Sequence, residues 1–438
     1  MLKVIRGGQV WLGPAEGFRE GLEIVIEGSR ITAVRPVQAD SVTPRGDAGL
    51  RGAEIIDATG HLVLPGFVNA HTHAAMTLLR SYADDMALHP WLTEAIWPAE
   101  ARMTPEDIYW GSLLAIAEMI RGGTTAFADM YFFEEQTARA VAESGIRAAL
   151  APGLVDGETF EARLQTTREM AATWHNTDGG RIRIMVGPHA PYTASQGLGR
   201  AAELAAELGL GLHIHLSETR REVEESLAQH GLTPIQVAER AGVFQVPTLA
   251  AHCVHATDAD IEILRERKVK VAHNPTSNMK LGSGRAPVQK MLAAGVLVAI
   301  GTDGTASNND LDMLEETRLA AFLAKLEEAP QALPASTCLA MMTVNGAEAL
   351  GFSDVGRIAP GYQADIILVD TSGPHWAPLF DPAANLIYSG HASDVTTVMV
   401  AGRLLMANRE LLTIDEERVL HEARQRGLRI GQVKGQSS

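Results

Sequence analysis

Leu64-Pro65-Gly66-Phe67-Val68-Asn69-Ala70-His71-Thr72-His73 decides how the chain is read. An apolar run with strand character ends in His-x-His. Residues i and i+2 of a strand point to the same side, so His71 and His73 project together from one strand end. Neutral imidazole is the commonest nitrogen ligand for a metal, and two held side by side are half of a metal site. Pro65 and Gly66 keep the entry non-helical. Taken alone, His-x-His equally describes two surface histidines at a strand end. The remaining ligands have to come from elsewhere in the chain.

Moving outward, the 438 residues suffice for a large core and more than one domain. The composition, 46% hydrophobic and 21% charged, is that of an ordinary globular protein. The net charge of -16, from 37 Lys and Arg against 53 Asp and Glu, argues against a nucleic-acid backbone as partner, which needs a basic face. Two distant cysteines, Cys253 and Cys338, give neither a disulfide framework nor a thiolate zinc site. The first residues lack a secretory h-region, and no apolar run is long enough to span a membrane. These features lead to the expectation of a cytoplasmic protein with no membrane partner. The oligomeric state stays open, a homo-oligomer included.

Residues 1–60 read as short strands at 2–6, 22–27, 31–37 and 54–57, with turn signals at Gly7-Gly8 and Gly28-Ser29. The polar stretch 38–52 reads as a surface loop. From residue 61 to about 354, apolar strands ending in polar residues alternate with helices. Strand candidates lie at 124–129, 147–154, 182–189, 211–218, 248–255, 269–274 and 296–303, with helices such as 108–121, 137–144, 198–208, 234–241 and 258–267 between them. With the strand before His71 this makes eight β/α units, the pattern of a (β/α)8 barrel carrying its chemistry at the C-terminal strand ends. Residues 355–438 return to strands at 356–358, 364–369, 395–400 and 403–406, then a charged helix at about 415–429. The expectation is an α/β chain with three parts: residues 1–60 and 355–438 forming one small β-sandwich, and the catalytic barrel, 61–354, inserted between them.

Two further strand ends carry candidate ligands. In Leu212-His213-Ile214-His215-Leu216-Ser217-Glu218 the two histidines share a face. His215, nearer the end, is the better ligand, and His213 reads as a satisfied histidine one layer down. Asp303 closes the apolar run 296–303. A buried unpaired carboxylate is costly, and a metal would explain it.

These residues, with His252 and the barrel inserted in a sandwich, resemble the amidohydrolase superfamily. The similarity is greatest to its methylthioadenosine/S-adenosylhomocysteine deaminase family. It extends over the stretches Pro98-Ala99-Glu100-Ala101-Arg102, Gly187-Pro188-His189-Ala190-Pro191-Tyr192, His273-Asn274-Pro275-Thr276-Ser277-Asn278 and Gly301-Thr302-Asp303-Gly304-Thr305-Ala306-Ser307-Asn308-Asn309. The resemblance implies that His71, His73, His215 and Asp303 bind one divalent metal, with zinc the default by ligand type and iron or manganese also compatible. It implies hydrolytic deamination of an adenosine-type nucleoside: 5′-methylthioadenosine, S-adenosylhomocysteine or adenosine. Glu218 would shuttle protons, Asp303 is a second acceptor for the water proton, and His252 would stabilise developing charge. By family likeness Glu100 would hold the ribose hydroxyls and His189 would meet the purine, while Trp97 covers the pocket or fills core. A helix-start carboxylate for Glu218 and a core histidine for His252 are the plainer readings of those residues alone. No lysine in the fourth strand offers a bridge for a second metal. Where relatives that use adenosylhomocysteine well can carry an arginine, this chain has Pro152, with Arg163 nearby, which points to methylthioadenosine or adenosine. A guanine- or triazine-type hydrolase is the alternative within the superfamily, and a non-catalytic binding barrel the alternative outside it.

Overall fold

The computed structural model describes residues 2–37 and 52–432. All but the last residue of the surface loop expected at 38–52 lies outside them. Eight parallel strands follow in chain order: Phe67–Thr72, Thr124–Tyr131, Arg147–Leu154, Ile182–Pro188, Gly211–Leu216, Thr248–His252, Lys270–His273 and Val298–Ile300. Each pairs in parallel with the next. First and last strands meet where the Asp303 amide donates to the His71 carbonyl at 2.9 Å, so the sheet comes round into a barrel. Gly301 permits that approach, since a Cβ there would lie 2.5 Å from Asn274 Oδ1 and 2.8 Å from the His71 nitrogen.

Small side chains fill the interior of the barrel: Ala70, Ala126, Ala128, Ala149, Ala151, Ala272 and Ala299 are all fully buried. Ala347, Leu350 and Phe352 pack against the same cluster. The outer faces of the strands bury larger residues, such as Phe127, Leu150, Ile184 and Ile214, against the surrounding helices. Alternation of burial partner along each strand is the period-2 geometry expected of a sheet covered on both faces.

The helices run close to their expected positions. Pro105–Arg121 starts three residues early because Thr104 and Asp107 form a capping box and Pro105 occupies the first turn. Leu198–Leu208 stands as read.

Both ends of the chain build the remaining two sheets. One has four strands, ordered Arg30–Pro36, Leu22–Glu27, Leu2–Arg6 and Glu54–Asp57. The other has seven, with His61–Pro65 lying between Ile366–Asp370 and Gln9–Trp11. Ile5, Ile24, Ile26 and Ile31 of the first face Val63, Ile366, Leu368 and Met399 of the second across an apolar core. Sheet membership moves the expected start of the barrel from residue 61 to Phe67: His61–Pro65 is apolar enough to read as a barrel strand, but its hydrogen bonds go to Ile366–Asp370. Residues 356–358 are bends and loop rather than the expected strand, since Gly356 takes a φ of 83°. The last helix, Glu416–Gly431, does not stay with the sandwich. It crosses to the barrel and packs on Pro105–Arg121. Among the described residues no helix is long and apolar enough to cross a membrane.

Candidate active site

The first, fifth and sixth barrel strands end in histidines, and Asp303 follows the eighth. His71, His215, His252 and Asp303 are 0%, 6%, 1% and 5% exposed, so nearly all their solvation has been given up. Each imidazole is oriented through Nδ1. His73 Nδ1 lies 2.6 Å from the Met130 carbonyl and His215 Nδ1 2.7 Å from the His189 carbonyl. His71 Nδ1 meets His213 Nε2 at 2.9 Å, and His252 Nδ1 meets Asn278 Oδ1 at 2.8 Å. A carbonyl or amide oxygen can only accept, so Nδ1 of His73, His215 and His252 carries the proton and Nε2 keeps its lone pair. The same tautomer of His71 makes His213 its acceptor. Outer partners of this kind are what fix metal-ligating histidines.

The free Nε2 atoms converge. His73 Nε2 is 3.3 Å from His215 Nε2, and both His71 Nε2 and His73 Nε2 approach Asp303 Oδ1, at 3.3 and 3.2 Å. Two overlapping groups have metal-holding spacing: His71, His73 and Asp303, and His71, His215 and His252. Buried lone pairs pointed at one another repel unless a cation sits among them, and His71 Nε2 has no hydrogen-bond partner. Burial pulls His71 down to about 4 and His215 well below the usual imidazole value. Burial also works to lower His73, but the hydrogen bond and charge of Asp303 outweigh it and raise that ring to about 9. The carboxylate thus favours positive charge at this point, whether a proton on His73 Nε2 or a cation held among the rings. The donor set fits a divalent metal.

Asp303 is held from its other side. Its Oδ2 accepts from Ser277 Oγ at 2.6 Å and Ser307 Oγ at 2.9 Å, while Oδ1 accepts from the Gly304 amide at 2.8 Å. His252 and Asp303 adopt left-handed backbone, with φ of 71° and 62°. Such strain in non-glycine residues gathers at functional sites, where surrounding contacts over-determine it. Ser277 and Ser307, which hold the carboxylate of the cluster, are not assigned from the sequence, while His213, read there as a satisfied histidine one layer down, is buried and orients His71. Ser277 reaches Asp303 from the short helix after the seventh strand, while Ser307 lies four residues beyond Asp303 on the same loop.

Glu218, 5% exposed, stands beside the cluster with Oε2 3.9 Å from His252 Nε2. Burial raises its pKa, opposed by His252. Glu222 accepts from the backbone amides of Ser217 and Glu218, at 3.1 and 2.7 Å, and orients that turn.

A cavity of about 470 Å³ opens above these groups and is also lined by Trp97, Glu100 and His189. His189 is anchored through Nδ1 to Thr193 Oγ1 at 2.8 Å, and burial lowers it to about 3, leaving a neutral ring. Glu100 accepts from Tyr131 Oη at 2.6 Å. Burial lifts Glu100 to about 7 against the pull of that hydrogen bond. Trp97 lines the cavity and is 41% exposed, so it is a wall residue rather than core. Through Trp97, Glu100, Phe132 and Gly153 the cavity meets a second one of about 980 Å³. Arg163 lines both, donating to the Gly153 carbonyl at 3.0 Å, and Pro152 lines the larger.

An eight-stranded barrel with this histidine and carboxylate cluster at its C-terminal strand ends is the arrangement of a metal-dependent hydrolase. The amidohydrolase family model matches residues 62–405, and the chain belongs to that family. Within it, the chain is 50% identical over 423 residues to a 5-methylthioadenosine/S-adenosylhomocysteine deaminase of Pelotomaculum thermopropionicum, covering 95% of this chain and 96% of the relative. The same-named protein of Dictyoglomus thermophilum is 54% identical over 380 residues, 86% of this chain and 89% of the relative. Among solved structures, an adenosine deaminase from Xanthomonas campestris with bound zinc superposes with a TM-score of 0.91 at 38% identity, covering 98% of both chains. An atrazine chlorohydrolase from Arthrobacter aurescens complexed with zinc gives 0.87 at 26% identity, over 97% of this chain and 99% of that one.

Proposed function

We propose that the chain is a metal-dependent aminohydrolase that converts an adenosine-type nucleoside to its inosine analogue and ammonia. The observation that carries the substrate class is Glu100, a half-buried carboxylate steadied by Tyr131 on the wall of the same cavity as the cluster. It suits a vicinal diol, which offers two donors. The relatives' names agree with this reading. His71, His73, His215 and Asp303 would hold one divalent ion, zinc by ligand type and by likeness to the zinc-bearing neighbours. Such an ion acts as a Lewis acid and lowers the pKa of a water molecule.

The chain's own residues do the rest. Glu218 takes a proton from the attacking water and passes it to a ring nitrogen. Glu218 then takes the remaining proton of the added hydroxyl and passes it to the amine, so that ammonia leaves as the C–N bond breaks and the C=O bond forms. Its burial-raised pKa suits a group that must be both acid and base near neutrality. With Nδ1 donating to Asn278, His252 offers Nε2 to the attacking water as an acceptor, and once that nitrogen takes a proton the ring stabilises the oxygen that gains charge. With Oδ2 taken up by two serine hydroxyls, Asp303 has only Oδ1 to offer the cluster. The neutral His189 would meet the purine, and the 5′ substituent would project toward the larger cavity. Substrate preference is read as methylthioadenosine or adenosine over adenosylhomocysteine, because Pro152 brings no cation; Arg163, which gives one N–H to the Gly153 carbonyl, is the cation nearby.

Ammonia release across a panel of methylthioadenosine, adenosine, adenosylhomocysteine, adenine, guanine and a chlorotriazine tests the reading. Nucleosides are expected to lead. Preferred release from guanine, or chloride from the triazine, would replace it.

A further inference from the structure

Residues 81–103 form one wall of the smaller cavity, contributing Leu88, Trp91, Leu92, Trp97 and Glu100. The segment has little structure of its own. It consists of a single helical turn at Leu88–Pro90, a six-residue π-turn at Trp91–Ile96 and the short helix Trp97–Glu100. Ser81 and Asp85 near its start are left-handed, with φ of 55° and 59°. Pieces this short are not stable alone. What they lean on therefore sets where Trp97 and Glu100 stand.

Arg102 is the main tie. Its Nη1 donates to the Pro98 carbonyl at 2.6 Å, inside the turn that carries Glu100. Its Nη2 donates to Tyr82 Oη at 3.3 Å, at the other end of the segment. Nε and Nη2 both donate to the Ile430 carbonyl, at 3.2 and 2.7 Å. Ile430 lies in the last turn of Glu416–Gly431, where carbonyls lack helical partners and the helix end is negative. The Ile430 side chain is fully buried in one cluster with Trp91, Ile96, Ala99 and Met103. Arg429 returns a bond to the Arg102 carbonyl at 3.4 Å and pairs with Asp107. Arg102 itself lines neither cavity.

We propose that Arg102 and the last turn of the terminal helix are positioning elements for substrate: they hold the Trp97–Glu100 turn against the nucleoside's sugar and take no part in the metal cluster. This rests on the nucleoside reading of Glu100. The cluster's own anchors, Met130, His189, His213 and Asn278, all lie outside residues 81–103. A defect in the clasp should therefore separate sugar recognition from chemistry.

The test uses the full zinc-loaded enzyme as Arg102→Ala and a second form ending at Leu428. Each is assayed with methylthioadenosine and with adenine, alongside metal content and melting temperature. The nucleoside KM is expected to rise about tenfold in both, in line with hydrogen bonds from a charged donor. Its kcat should stay within about twofold, adenine kinetics should be unchanged, and one metal per chain should remain. Combining the two changes should add little, because both open one clasp. Arg102→Lys should recover part of the loss. Equal damage to nucleoside and adenine, loss of metal, or an unchanged nucleoside KM overturns the proposal. If Arg102→Ala does not fold, the shortened form decides alone. Glu100→Ala runs in parallel: if it treats nucleoside and adenine alike, the sugar reading has failed. If only Glu100→Ala discriminates, the clasp has failed and the reading stands.

Discussion

Glu218 and its neighbours show how a few side chains divide the labour of the site. Glu218 approaches His252 but bonds to no imidazole of the cluster, so Glu218→Gln should keep the metal and the fold. Turnover is expected to fall by about 10²–10⁴-fold, the usual worth of a general acid–base group. Metal analysis and kcat at saturating substrate check it, and wild-type kcat would assign the proton transfer elsewhere. Ser277 acts one step further out, through Asp303 Oδ2. Ser277→Ala should weaken metal retention by roughly 10- to 100-fold, as loss of an outer partner does. Competition with a chelator measures this directly. Glu100→Ala should cost roughly 10- to 1000-fold in kcat/KM for a nucleoside, given hydrogen bonds of about 1.5–3 kcal/mol to a charged acceptor, and little for the free base. At this scale the sequence was legible wherever a residue ends an apolar strand, as His71, His73, His215, His252 and Asp303 do. Ser277 and Tyr131 were not, because each acts through a partner on a different element, and Ser307, though only four residues from Asp303, lies in a loop with no periodic pattern to mark it.

Elements that fold by their own pattern were also legible. Helix Leu198–Leu208 has an apolar stripe and a left-handed Gly209 to end it. The wall segment was not, since its turns exist by virtue of contacts with Arg102, Tyr82 and the last helix. That helix is fastened to the barrel through Asp107, which accepts from Thr104 N and Oγ1 at 2.7 Å each and pairs with Arg426 and Arg429. Burial pushes the Asp107 carboxyl up, but the bonds from Arg429, Thr104 and Arg426 outweigh it and leave its pKa lowered. A carboxyl lowered by folding contributes stability above its unfolded pKa of about 4, and loses it as pH falls through the folded value. Melting temperature should therefore drop as pH goes below about 4. The drop should be shallower in Asp107→Asn, which starts less stable at neutral pH; identical acid profiles would remove Asp107 from the account.

The whole molecule is joined by a buried ion pair. Arg147, on the third barrel strand, makes two bonds to Asp365, at 2.9 and 3.0 Å. Asp365 Oδ1 also accepts from the Ala401 amide at 2.7 Å, and both side chains are at most 2% exposed. Asp365→Ala should cost about 3–5 kcal/mol, because it strands a buried guanidinium. Denaturant unfolding measures it, and a change under about 1 kcal/mol would show that the junction relaxes. The alternation of strands and helices made the barrel readable along the chain. The exact seam with the sandwich was not, since His61–Pro65 and Phe67–Thr72 are both apolar strands and only their distant partners tell them apart.

Those partners carry a consequence for synthesis. Pro65 pairs with Ile366, roughly 300 positions later. As the chain leaves the ribosome, His61–Pro65 waits with one edge open until the barrel has emerged and Ile366–Asp370 arrives. An unpaired apolar edge is an invitation to other nascent chains. Slow translation or heat should thus trap this protein as aggregates seeded from its early strands, more readily than a barrel whose neighbours are made in succession.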